Sequence, residues 1–337
     1  MIRKFNHVLV TGGAGYCGSV LVPQMLEMGY RVTVYDIQYY GCSFLPLDNP
    51  NLTVVKGDIR NIDHLVTLFE DVDAVLHLAC ISNDASFELD ENLSTSVNLE
   101  AFEPMVIASK KAGVKRFIYA STSSVYGISE EPDVKEDHPL VPLTLYNEYK
   151  GLCEPMLFKH TDDNFVGVVY RPATVCGYGP RQRLDVSVNI LTNLAVNKGK
   201  ITVFGGSQLR PNLHIQDYAD LCKELLVAPD EKISNEIFNC GYENMSIMEI
   251  AETVKKVVAE EFPGKKEITI EVSPSDDLRS YHINSEKITE HLGFKPQYSV
   301  DDAIRDLCQA FLNGKLPNSF NDDKYFNVRT MKKIGAK

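Results

Sequence analysis

The sequence has no run approaching the roughly 20 apolar residues that a membrane span needs. Its first residues, Ile2, Arg3, Lys4 and Phe5, lead straight to a polar Thr-Gly-Gly rather than into a signal-peptide core. The expectation is a cytoplasmic protein that stays away from membranes. Positive charge is scarce: 34 Lys and Arg face 46 Asp and Glu, a formal net charge of −12, so the average surface repels nucleic acid and anionic lipid. An anionic substrate then needs a local basic site. Neither Cys-x-x-Cys, His-x-His nor His-Glu-x-x-His occurs, and the eight cysteines at 17, 42, 80, 153, 176, 222, 240 and 308 are scattered. That argues against a zinc ribbon or a disulfide scaffold, and no structural metal is expected. Internal repeats and low-complexity stretches are missing too.

What is present is an α/β pattern in a chain of 337 residues, 44% hydrophobic and 24% charged. Short apolar runs at His7–Val10, Arg31–Tyr35, Leu52–Val55, Ala74–Ala79, Arg116–Ala120 and Phe165–Tyr170 alternate with helical patterns at Val20–Met28, Ile62–Phe69, Ala101–Ala112 and Tyr146–His160. Near-continuous apolar strands joined by helices predict a doubly wound parallel sheet, a Rossmann domain over residues 1–172. Pro23 falls inside the first helix and is expected to bend it. Residues 173–315 read as a smaller C-terminal α/β substrate lobe, although the helix Asp217–Val227 and the strand Glu236–Asn239 are apolar enough to return to the first sheet. Residues 316–337 lose periodicity and read as a tail or wrap-around segment.

Two motifs carry chemistry. Thr11-Gly12-Gly13-Ala14-Gly15-Tyr16-Cys17-Gly18 sits where the first strand meets the first helix. A Gly-rich turn there also suits plain packing, but strand before and helix after are what a diphosphate needs to reach backbone N–H groups at a helix N-terminus. Asp36 ends the second strand, where a carboxylate accepts both ribose hydroxyls and repels a 2′-phosphate, so NAD is favoured over NADP. Asp58 and Ile59, ending the third strand, either meet the adenine edge or form an ordinary loop. The second motif, Tyr146-Asn147-Glu148-Tyr149-Lys150, puts a phenol and an ammonium on one helix face. It follows a hydroxyl-rich turn, Ser121-Thr122-Ser123-Ser124, at the end of a strand. A phenol beside Lys⁺ and an oxidised nicotinamide would have its pKa lowered and serve as a base, with Thr122 bonding the same substrate oxygen.

With these residues, His77-Leu78-Ala79, Asn98 and Arg171-Pro172, the chain resembles the extended short-chain dehydrogenase/reductase family over about residues 6–315, in particular its nucleotide-sugar epimerases and dehydratases. The resemblance implies that Tyr146 is the general base, that Lys150 orients the nicotinamide ribose, and that Thr122 is the hydroxyl partner. Gly12, Gly15, Tyr16, Cys17, Gly18, Asp36, Asp58, Ile59, Leu78, Ala79 and Asn98 would hold NAD with Tyr146 and Lys150. A nucleotide-diphosphate sugar would meet Thr122, Ser123, Thr174, Asn189, Arg210 and Arg279, with Arg181 and Arg183 adding sugar or phosphate contacts; any one arginine equally suits a surface ion pair. Many members dimerise through the helices 101–112 and 146–160, so a homodimer is expected.

Departures narrow the chemistry. Sugar 4,6-dehydratases carry Asp-Glu after the catalytic Thr, where this chain has Ser123 and Ser124, so dehydration is not expected. Cys176 either faces the sugar or packs inside, with packing favoured. Thr174 replaces the familiar Asn of its loop. The stretch Arg181-Gln182-Arg183-Leu184-Asp185 resembles a subgroup that includes nucleotide-heptose 4-dehydrogenases. The expected reaction is 4-epimerisation through a transient ketone, with a net 4-dehydrogenase or reductase as the alternative; a non-catalytic nucleotide-binding protein ranks behind both, because Thr122, Tyr146 and Lys150 are all present.

Overall fold

The computed structural model describes residues 4–82, 84–87, 89–264, 267–274 and 280–337. The first half runs β1 (His7–Thr11), α1 (Tyr16–Glu27), β2 (Arg31–Asp36), β3 (Leu52–Lys56), α2 (Ile62–Val66), β4 (Ala74–His77), α3 (Asp84–Phe87), α4 (Glu91–Thr95), α5 (Phe102–Lys111), β5 (Arg116–Ala120), α6 (Leu145–Phe158) and β6 (Val166–Pro172). The second half continues with β7 (Thr174–Cys176), α7 (Ser187–Lys198), β8 (Lys200–Phe204), β9 (Leu209–His214), α8 (Ile215–Val227), α9 (Asp230–Ile233), β10 (Glu236–Cys240), β11 (Glu243–Ser246), α10 (Ile247–Glu261), β12 (Thr269–Ser273), α11 (Glu286–Leu292), α12 (Val300–Leu312) and α13 (Asn327–Ile334). No helix among the described residues is long and apolar enough to cross a membrane.

Seven strands form one sheet in the order β10-β6-β5-β4-β1-β2-β3, and every pairing is parallel. This is a Rossmann-type doubly wound sheet. β1, β4 and β5 are buried along their whole length, as strands covered by helices on both faces must be. One apolar core holds Val8, Val10, Leu21, Met25, Leu76 and Ile118 on the α1 side. The other holds Leu9, Val75, Phe102, Phe117 and Leu157 on the α5 and α6 side. α1 runs through Pro23 to Glu27, its Leu21, Val22 and Met25 buried. Between α4 and α5 the chain winds wider, as a π-helix over Ser96–Glu100.

β10 extends the sheet beside β6, and α8 packs on α1, so residues 215–240 join the layers of the first half. The remaining second-half elements have their own core: α7, α10 and α12 cover the parallel pair β8 and β12 through Leu191, Ile201, Val254, Ile304 and their neighbours. β9, interrupted in sequence by Pro211, pairs antiparallel with β11 and parallel with β7. Residues 316–337 are folded against the body. Leu316, Tyr325 and Phe326 pack with Leu184, Leu307 and Ala310, and α13 follows.

Candidate active site

In an open parallel sheet, ligands bind beyond the carboxyl ends of the strands where the strand order reverses. Here that point lies between β1 and β4, whose last residues, Thr11 and His77, are in register and joined by a 2.6 Å hydrogen bond between Thr11 Oγ1 and His77 Nδ1. A cavity of about 750 Å³ opens there.

Its floor is the Gly-rich turn. Gly12 has φ +72°, and a Cβ on it would come within 2.6 Å of the Ala79 backbone nitrogen; a Cβ on Gly18 would run into the Gly13 carbonyl. At Gly15 a Cβ would meet only the Gly12 carbonyl, at 3.1 Å, and this residue borders the cavity. Gly15 caps α1 and offers no side chain to its first N–H groups, so the turn leaves a bare cradle of donors for an anion. Asp36 is fixed at the end of β2: Ala14 N–H donates to its Oδ2 at 3.0 Å and Gln38 N–H to its Oδ1 at 2.6 Å. Burial raises its pKa, and the two backbone donors oppose that shift. These features fit the diphosphate and ribose of a dinucleotide. Tyr16, Cys17, Asp58, Ile59, Leu78 and Ala79 also line the cavity, although the Tyr16 hydroxyl is committed to the Gly177 carbonyl at 2.6 Å and the Asp58 carboxylate to Arg60. Asn98 does not line it. Its Oδ1 accepts from Ile81 N–H at 2.8 Å and its Nδ2 donates to the Ile81 carbonyl at 3.0 Å, so it pins the loop after β4 from behind.

Thr122, Tyr146 and Lys150 reach the same cavity from two elements. β5 ends at Ala120, and Thr122 caps the following short helical turn, its Oγ1 accepting from Ser124 N–H at 3.2 Å. Ser124 Oγ donates to Asn147 Oδ1, which ties that turn to α6. α6 is started by Thr144, whose Oγ1 accepts from Asn147 N–H and donates to Asp84 Oδ1 at 2.6 Å. Lys150 is buried, and its Nζ donates to the Ala120 carbonyl at 2.7 Å while lying 5.0 Å from the centre of the Tyr119 ring. In the chain alone the Tyr146 phenol is held well above its ordinary pKa. Burial is the main cause, Cys80, Asp84 and Tyr281 add to it, and Arg183 opposes it. A bare phenol in this pocket is therefore protonated at neutral pH.

The substrate candidates divide. Ser123, Thr174, Arg181, Arg183 and Arg210 border the cavity, Arg210 with its guanidinium carbon 5.4 Å from the centre of the Tyr281 ring. Asn189 does not. It is fully buried, its Oδ1 accepts from Gly177 N–H at 3.0 Å, and its Nδ2 is shared among the Tyr16 hydroxyl and the Arg183 and Gly177 carbonyls. Both polar atoms of its side chain are thus taken by protein partners, and it braces the loop after β7. Cys176 is also inside, against the Leu213 carbonyl, and faces no sugar. Arg279 lies outside the described residues. Ser82, Tyr40, Asn327 and Met331 line the cavity as well; they stand in no recognisable motif, because they come from loops and from a short C-terminal helix.

The family model described as the NAD dependent epimerase/dehydratase family matches residues 8–241. A dTDP-D-glucose 4,6-dehydratase of Mus musculus is 29% identical over 315 residues, spanning 89% of this chain and 87% of that protein. The structure of a UDP-glucose 4-epimerase with UDP-glucose from Thermotoga maritima superposes with a TM-score of 0.80 at 25% identity, covering 91% of this chain and 99% of that one. MoeE5 in complex with UDP-glucuronic acid and NAD gives 0.78 at 25% identity, over 92% of this chain and 100% of the other.

Proposed function

The chain belongs to the NAD dependent epimerase/dehydratase family, and from that premise we propose that it inverts C4 of a nucleotide-activated sugar through a transient 4-keto form. It is an NAD-dependent enzyme of the extended short-chain dehydrogenase/reductase type. When bound, NAD supplies the acceptor for the C4 hydride and the donor that returns it. The chain's own groups handle the oxygen. Tyr146 removes the proton of the C4 hydroxyl and later restores it, and Thr122 holds the same oxygen with a second hydrogen bond. Lys150 is anchored at the Ala120 carbonyl and has further ammonium hydrogens for the nicotinamide ribose; its charge favours the ionised phenol. Asp36 accepts the adenosine ribose hydroxyls. Gly12, Gly15, Gly18 and the first turn of α1 receive the diphosphate of NAD. Arg210, with Arg279, takes the diphosphate of the sugar nucleotide, and Ser123 and Thr174 meet the sugar.

The observation that carries this reading is the turn Thr122-Ser123-Ser124, which borders the cavity with hydroxyls alone. It hydrogen-bonds the oxygen whose proton Tyr146 moves but offers no acid to expel a neighbouring hydroxide, which favours chemistry confined to alcohol and ketone. NMR analysis of products after incubation with UDP-, dTDP-, GDP- and CDP-sugars tests it. A new C4 epimer without net absorbance at 340 nm is expected. A ketone accumulating with stoichiometric NADH would assign the enzyme as a 4-dehydrogenase instead, and a 4-keto-6-deoxy product would make it a dehydratase.

We further place it in the cytoplasm as a homodimer. All eight cysteines are free thiols, which suits a reducing compartment. Ile107 on α5 and Leu145 and Leu152 on α6 are exposed apolar side chains on the two helices that would pair across a four-helix contact.

A further inference from the structure

Arg181 poses a physical problem. Its side chain is 95% buried, being 5% exposed, yet among the described residues it has no carboxylate within ion-pair distance. Its Nη2 donates to a neutral acceptor, Asn327 Oδ1, at 2.6 Å, its guanidinium carbon lies 3.6 Å from the centre of the Tyr40 ring, and its Nε has no partner. A buried cation with no carboxylate in contact is costly even though Asp185 and Asp36 act on it from farther off, and burial accordingly pushes this guanidinium down to about 10. Arg183 is two residues away. Asp185 neutralises it, Nε to Oδ1 at 2.8 Å, but its buried Nη2 is also unpartnered. Both arginines border the cavity.

One residue from the far end of the chain organises the pair. Asn327 Oδ1 holds Arg181; its backbone N–H donates to Asp185 Oδ2 at 2.8 Å; its Nδ2 donates to Ser82 Oγ at 3.0 Å, the same oxygen that Arg183 Nη1 approaches at 3.4 Å. Asn327, Asp185, Arg183 and Ser82 thus close a hydrogen-bonded ring, and Arg181 is tied to it through Asn327 Oδ1. We propose that Asn327 is a positioning residue that sets Arg181 and Arg183 as a clamp for a diphosphate ester, making the C-terminal segment part of the ligand site.

The position of the clamp points to the diphosphate of the dinucleotide. Arg181 N–H donates to Ser19 Oγ at 3.2 Å, in the helix whose first turn carries the Gly-rich cradle. An incoming diphosphate there would satisfy the free guanidinium donors by charge-assisted bonds and restore neutrality. From Asn327, α13 runs 8 residues, about 12 Å. Beyond it the Lys337 carbonyl accepts from Arg60 Nη2 at 2.9 Å, next to Asp58. The segment therefore passes along the cavity from Ser82 to the end of β3, with Met331 on its wall. This rests on the cavity taking NAD and is indifferent to whether epimerisation or oxidation follows.

The test uses the full-length holoenzyme and two variants. Asn327→Ala removes the tether. Asn327→Asp preserves its shape and puts a carboxylate against Arg181, which leaves folding intact but cancels the charge meant for the ligand. NAD remaining after rapid desalting, quantified by chromatography, reports the dinucleotide; calorimetric titration of the NAD-loaded enzyme with UDP and GDP reports the sugar-nucleotide side. Losses of about tenfold or more in NAD retention are expected for both variants, with the Asp variant the weaker binder and its thermal midpoint near that of the parent. Lys333→Ala, an exposed change on the same helix, should leave retention unaltered. A loss seen only with UDP or GDP would keep the clamp and reassign it to the sugar nucleotide. Unchanged binding of all three ligands by the folded Asp variant would overturn the proposal, whatever becomes of the Ala variant.

Discussion

Both carboxylate oxygens of Glu154 are taken by one guanidinium: Arg171 Nε donates to Oε1 at 2.9 Å and Nη2 to Oε2 at 2.6 Å. The two side chains are almost completely buried. Ser121 Oγ adds a third bond to Glu154 at 2.6 Å, and Arg171 Nη1 continues to the Tyr126 hydroxyl, which donates to Asn239 Oδ1. This network joins α6, the end of β6, the turn after β5 and β10, and so fixes Tyr146 and Lys150 relative to Thr122.

Removing one partner of such a pair leaves the other charge buried and unpaired. Glu154→Gln should therefore cost about 3–5 kcal/mol of stability, read from the urea midpoint, and lower turnover by loosening α6 against the Thr122 turn. An unchanged midpoint would mean that water or a neighbour compensates Arg171, and the network would lose its assigned role.

His77 gives stability a pH dependence of definite sign. Burial, helped by the Lys150 ammonium, pushes its pKa down to about 3, while the unfolded imidazole titrates near 6.5. The folded state keeps the ring neutral and bonded to Thr11 across this whole interval, whereas the unfolded state gains a proton. The contribution is therefore complete above about pH 6.5 and shrinks as pH falls, by up to about 1.4 kcal/mol per unit. Between pH 6.5 and 5, urea unfolding should show a loss of about 2 kcal/mol from this group, and the same series for His77→Gln should lack it. Parallel curves for the two proteins would refute the assignment.

Gly12 has no tolerant replacement. With φ at +72° and the Ala79 backbone 2.6 Å from a would-be Cβ, Gly12→Ala must displace either the turn or the end of β4, neither of which is a flexible side chain. The purified variant should contain less than about a tenth of the parent's NAD while keeping its far-ultraviolet circular dichroism. Full NAD content would show that the turn is less confined than its packing indicates.

Legibility in the sequence followed the reach of the interactions. β1 to β6 were readable because each is an apolar run bounded by helical periodicity, and the Gly-rich turn and the Tyr146/Lys150 pair are local patterns whose spacing carries their geometry. β9 escaped notice because Pro211 interrupts its alternation, a position where antiparallel pairing with β11 tolerates it. Asn98 and Asn189 have the right residue type for ligand contacts, but residue type does not disclose orientation, and both spend their amides on backbone groups of the loops they brace. Arg181 and Arg183 look alike in sequence and differ in charge balance only because Asp185 folds back on one of them. Asn327 lies 146 residues from Arg181, at the start of a helix of only 8 residues, and nothing local to that helix discloses which distant side chain it meets.

The base assigned to Tyr146 makes the last prediction. Burial holds the phenol protonated in the chain alone, so activity must rise with pH along a limb set by whatever cation the loaded site brings near it. Lys150, four residues on and anchored at Ala120, is the cation on the same helix face. Replacing it by Met removes a charge that favours tyrosinate, so the rising limb of kcat/KM should move to higher pH by about one unit or more, with the plateau reduced. Tyr146→Phe has no proton to exchange and should lose at least about a thousandfold in kcat while still retaining NAD. Retained NAD separates loss of the base from loss of the cofactor site. If the Phe variant turned over at an appreciable fraction of the parent rate, another group would have to carry the proton, and Thr122, bonded to Ser124 on the same cavity, would be the first to examine by the same pH series.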